Sequence, residues 1–256
     1  MRRTTPVAWI GAVTVTALLV LGVVLLAGGP PAGEPEGLSA AAPVAEVLAV
    51  RPGDTVTTLD GEPVTGAEVL RAAETVRASV ISTFTGYGTP LGPGFWDRPH
   101  TAGTPRQRLR REAVGVAVLD KARRLWAREA GLLADVSEQG FQRELAQENR
   151  KRAEAAAAGR PLPGVPSYDQ YTYARVRAAE LDSALSKIHA AGLDLSDARL
   201  REHYEVMAGE NPPPFEQARD NVRQALVIRE YERALRSRAG YSDLQVHGGL
   251  DPGAHR

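Results

Sequence analysis

Helix-start signals recur along this chain and restrict its fold more than any other feature. Thr65-Gly-Ala-Glu68 places a hydroxyl at an N-cap and a carboxylate three residues later, a capping box. Thr104-Pro105-Arg106-Gln107 repeats the device with proline at the first helical position and glutamine at the third. Between such starts the apolar residues step by three and four, as on one face of a helix. Val69, Leu70, Ala73, Val76, Val80, Ile81 and Phe84 follow the first start, and Leu109, Val116, Leu119 and Trp126 follow the second. Gly131 stops the second helix.

Four further helices follow. One begins near Ser137, carries Phe141 and Leu145, and ends at Gly159 and Pro161. A fourth runs from about Tyr168 to Ala191 with Tyr171, Ala174, Ala178, Leu181, Leu185 and Ile188 on one stripe. Ser196 caps a short fifth bearing Leu200, Tyr204 and Met207, and Asn211-Pro-Pro-Pro214 breaks the chain. The sixth runs from Phe215 to about Ala239 and buries Ala218, Val222, Ala225, Leu226 and Leu235. The polar run QENRKRAEAAAA in the third, with Glu148 four residues before Arg152, reads as a solvated face. Two strand candidates flank the helices: TVTTL, ending at the Asp60-Gly61 turn, and YSDLQV after Gly240. The expected fold is mainly α, a bundle of about six helices whose two ends are tied by a small strand pair, 54–60 with 241–247.

The residues before this domain read differently. Val7 to Ala27 carries no charged side chain, and at about 1.5 Å per residue a helix of that length spans the roughly 30 Å hydrocarbon core. Arg2 and Arg3 flank it on one side and no basic residue follows until Arg51, which orients the N-terminus to the cytoplasm and the rest outside. The alternative is a cleaved signal peptide, but its apolar region runs only about 7–15 residues, and the small-residue site Ala40-Ala41-Ala42 lies well past the apolar run. Residues 1–28 are therefore read as a cytoplasmic stub and transmembrane anchor. Residues 29–53, rich in Gly, Pro and Ala, are read as a flexible spacer, 54–247 as the helical domain, and 248–256 as a tail.

Composition excludes several classes of function. The chain has no cysteine, so disulfides, thiol catalysis and Cys-type metal sites are absent, as is a lipoprotein anchor. Its 31 basic and 31 acidic residues cancel, leaving no net field to attract nucleic acid. His100, His189, His203, His247 and His255 form no HExxH or similar pair, and His203 is expected to face solvent. There is no nucleophile elbow, phosphate-binding loop or dinucleotide fingerprint, and no carboxylate pair stands out as acid and base. No catalytic residue, metal or cofactor is assigned.

Phe95-Trp96 lies within the Gly/Pro-rich loop 86–103. The commoner outcome for such a pair is a plug that packs the loop onto the helices; the other is an exposed contact for extended apolar peptide. Tyr168, Tyr171 and Tyr173 cannot all face the core from one helix. Phe95, Trp96, Tyr168, Tyr171 and Tyr173 are therefore the candidate client-peptide contacts.

The order of these motifs resembles the SurA and PrsA family of extracytoplasmic folding factors. The similarity rests on the opening D-G-E-P-V-T and its long helix, Phe95-Trp96, LRREAVGVAVLDKARRLWAREAGL (109–132), SEQGFQRELAQENRKR (137–152) and FEQARDNVRQALVIREYERALRSRAG (215–240). Many members of that family carry a parvulin-type prolyl isomerase domain of roughly 90–100 residues between the last two helical segments. Here that junction is MAGENPPP, residues 207–214, and no parvulin-like G-G-D-L-G stretch occurs. The resemblance implies a membrane-anchored, ATP-independent chaperone-like domain outside the cytoplasm that binds unfolded secreted or envelope proteins. Isomerase activity does not carry over. Two other functions stay open: a scaffold holding one dedicated folded partner, and a peptidylprolyl isomerase acting without the parvulin fold.

Overall fold

The computed structural model describes residues 37–207, 209 and 212–240. The expected anchor at Val7–Ala27, the second strand at 241–247 and the tail 248–256 lie outside the described residues. Among those residues no helix is long and apolar enough to cross a membrane.

Among the described residues the architecture is helical with one small sheet. The elements are α1 (Val44–Leu48), β1 (Thr55–Leu59), β2 (Glu62–Thr65), α2 (Gly66–Gly86), α3 (Pro105–Glu129), α4 (Glu138–Ala157), α5 (Gln170–Ala190), α6 (Asp197–Met207) and α7 (Phe215–Arg238), with a single 3-10 turn at Phe95–Asp97. Helices α2 to α7 stand where the start and stop signals of the sequence place them. Both capping boxes form: Thr65 N–H donates to Glu68 Oε2 at 2.7 Å, and Thr104 N–H donates to Gln107 Oε1 at 3.0 Å. Gly131 ends α3 at φ 73, the left-handed stop that glycine adopts most easily.

The described sheet is a hairpin, whereas the expected tie between 54–60 and 241–247 involves residues outside those described. β1 pairs antiparallel with β2, joined by Asp60 and Gly61 at φ 50 and 80. Positive φ at both positions is the hairpin turn that matches strand twist, and it pairs TVTTL with the residues that directly follow it. Pro63, opposite Thr58, has no N–H to donate, which keeps β2 a short edge strand.

The expected spacer ends earlier than residue 53. Residues 37–53 form a strap over α2 and α3, and Val44, Val47, Leu48 and Val50 are buried. A Cβ on Gly66 would lie 1.9 Å from Arg51 O, so the strap crosses the start of α2 only because that position is glycine. Gly66 N–H and Ala67 N–H donate to Asp54 O and Pro52 O.

Glu68, in the first turn of α2, meets Lys121 near the end of α3, so the two helices run antiparallel. Their facing residues form the main core, with Val69, Ala73, Val80, Phe84, Leu109, Ala113 and Trp126 buried. Leu181 and Leu185 of α5 and Tyr231 and Leu235 of α7 join it. Trp126 fixes α7 on α3: it stacks on Tyr231 at 5.3 Å, and the Arg238 guanidinium lies 4.6 Å from its ring centre. A second, separate cluster holds α6 to the first half of α7, formed by Leu200, Phe215, Ala218, Val222 and Leu226.

Candidate functional groove

A groove of about 850 Å³ opens between α5 and α7, floored by α3. Leu119, Tyr231 and Leu235 supply the apolar floor, and Val227 with Ile228 line the α7 wall. Ile228 is 44% exposed, a large aliphatic side chain standing in the open groove. Lys187 on α5 and Asp220, Arg223, Glu232 and Arg236 on α7 give the rims both signs of charge.

The polar groups at the base of the groove satisfy one another. Arg123 Nε donates to Asp182 Oδ1 at 2.7 Å, and its Nη1 donates to Asp120 Oδ1 at 2.8 Å. The Tyr231 hydroxyl donates to the same Asp182 oxygen. Burial works against the Arg123 charge, but Asp120 and Asp182 outweigh it and hold the guanidinium above its ordinary range. Burial and then the Asp182 carboxylate push the Tyr231 phenol up, so it stays a neutral donor. With its buried polar groups paired, the groove presents its apolar floor and wall, a surface suited to apolar side chains.

The structure places the five sequence-derived contacts elsewhere. Phe95 and Trp96 are each 0% exposed, packed edge-to-face at 5.0 Å, and Trp96 Nε1 donates to Ser39 O at 2.8 Å. They plug the loop and the strap together, and their ring faces are withdrawn from any client. Tyr173 is buried beside Phe141, its phenol pushed up to about 12 by burial and by Glu144. Tyr168 lies 6.2 Å from Tyr173, on the rim of a polar recess of about 270 Å³ between α4 and α5. Only Tyr171 is exposed, and it lines neither recess.

Two expectations about polar residues are corrected. Arg152 does not belong to a solvated face: it is buried, lies 3.9 Å from the Tyr168 ring centre, and donates to Pro163 O and Val165 O at 3.1 and 2.7 Å. The loop between α4 and α5 folds back over α4 and needs a long donor to satisfy its carbonyls. His203 is 5% exposed rather than solvent-facing, because α7 covers that side of α6.

Sequence reasoning named Leu119 and Leu235 of the groove but not Asp182, Arg123 or Tyr231. Tyr231 lies outside the step that joins Val222 to Leu226, and nothing local marks Asp182, which is 59 residues from Arg123. Among the described residues no group of three or more metal-ligating side chains converges.

Comparison with known proteins identifies no relative: no family model, curated protein or solved structure matches this chain.

Proposed function

We propose that this chain is a membrane-anchored, ATP-independent chaperone-like protein whose helical domain accepts extended apolar segments of unfolded polypeptides in the α5–α7 groove. The observation that carries this reading is the groove itself: an open recess with an apolar floor, an exposed Ile228 and rims of mixed charge. Two further features support it. The order of elements follows the resemblance to extracytoplasmic folding factors, and the uncharged run Val7–Ala27 provides a tether that puts the domain outside the cytoplasm. Where such proteins carry a parvulin domain, this chain passes directly from α6 to α7, so binding without isomerisation is the activity proposed.

Binding through such a groove is modest in affinity, because an unfolded client loses conformational freedom when one segment is held. Anchoring offsets that loss by raising the local concentration of the domain where clients emerge from the membrane.

The test is suppression of aggregation of a reduced, unfolded client. A fragment of residues 37–256, folded by circular dichroism, is expected to suppress it at stoichiometric amounts, with no effect of ATP. A folded fragment without effect overturns the proposal. Recovery of one folded partner at fixed stoichiometry, in place of many unfolded clients, assigns the domain to a scaffold instead.

A further inference from the structure

α6 has 11 residues, and a helix shorter than about 12–15 residues is marginal in water on its own. It persists because Leu200 and Tyr204 pack on the face of α7 formed by Ala218, Val222 and Leu226. That cluster is separate from the main core, so α6 can leave α7 without disturbing α2 and α3.

His203 sits in this docking face with one nitrogen unserved by any described residue. Its Nδ1 lies 3.4 Å from Arg229 Nη1, and because a guanidinium only donates, Nδ1 is the acceptor and the proton resides on Nε2. Nε2 is buried and, among the described residues, has no hydrogen-bond partner. A second proton would therefore land on Nδ1, where it faces the N–H of Arg229, replacing an acceptor with a donor and adding a like charge. The charged groups around the ring are Arg229 and Glu230 on α7, and Arg199 and Glu202 on α6. Both carboxylates already have cationic partners, Glu230 with Arg233 and Glu202 with Arg199.

We propose that His203 makes the α6–α7 hairpin a pH-gated latch, docked while the imidazole is neutral and released when it takes up a proton. Burial, followed by Arg229 and Arg199, holds its pKa below the ordinary value, and Glu230 and Glu202 oppose this without reversing it. The docked state thus binds protons less readily than the released one. The stabilisation is complete above about pH 6.5 and is lost as pH falls through the docked-state value, by up to about tenfold in the docking equilibrium per pH unit. The latch is independent of whether the groove receives clients.

Hydrogen exchange on the full chain in detergent tests it at about pH 7.5 and about pH 5.0, where histidine is neutral and then charged. After correction for intrinsic exchange rates, amides of residues 197–207 are expected to lose protection at the lower pH, by up to about tenfold per pH unit crossed. Those of α3 are expected to keep theirs. His203→Gln retains an acceptor for Arg229 and cannot charge, so α6 should stay protected at both pH values. Equal protection of wild-type α6 at both pH values overturns the latch, as does a loss in His203→Gln equal to wild type. Should that variant fail to fold, the wild-type ring is followed directly by NMR. A midpoint below that of the unfolded chain supports the latch, and one at or above it overturns it.

Discussion

Lys121 joins the opening motif of the domain to its longest helix. Its ammonium lies 2.8 Å from Glu68 Oε1 and donates to Val136 O at 3.1 Å, while the other oxygen of Glu68 completes the capping box. Both side chains are almost wholly buried, at 1% and 7% exposure, so neither charge is solvated without the other. Lys121→Met leaves Glu68 buried and uncompensated, which is expected to lower stability by about 3–5 kcal/mol in chemical denaturation. Adding Glu68→Gln should recover part of that loss, whereas additive losses would show that the two residues do not act as a pair. The sequence shows that Glu68 belongs to a capping box and that Glu148 precedes Arg152 by one turn, because both relations are local. It does not show that Lys121 lies against Glu68, or that Arg152 reaches the carbonyls of Pro163 and Val165, because those partners are brought together by packing alone.

The limits of α2 to α7 were legible because caps and stop residues act within one turn. α1 was not legible. Five residues are too few for a periodicity, and its Ala- and Pro-rich surroundings read as a spacer. Its value lies in Val44, Val47 and Leu48, which are buried under α2 and α3, and full burial of such a side chain is worth about 1.5–3 kcal/mol. A fragment beginning at residue 50 is therefore expected to melt at least about 10 °C below one beginning at residue 37. Equal melting temperatures would mean that the strap adds nothing to the fold. The hairpin carries a related lesson: the positive-φ pair Asp60-Gly61 lets β1 find its partner two residues away.

The described domain joins a core of α2 and α3, which closes over Phe95 and Trp96, to a face where α5 and α7 pack together on α3 and leave a groove along their contact. The groove reading makes a claim that stability does not share. Ile228 is 44% exposed, so Ile228→Asp should change stability by no more than about 0.5 kcal/mol. The same change is expected to weaken binding of an apolar peptide by about tenfold. Fluorescence anisotropy with a labelled peptide measures this, and undiminished binding by the folded variant would move the site elsewhere. By itself the sequence determined a mainly helical domain, the place of each long helix and the charge-free run at Val7–Ala27, since capping, periodicity and hydropathy are properties of neighbouring residues. Only the tertiary structure decided which aromatics became core, which histidine was buried and where the helices left a groove. Those outcomes depend on surfaces far apart in sequence, as when Arg123, Asp182 and Tyr231 meet at the base of the groove.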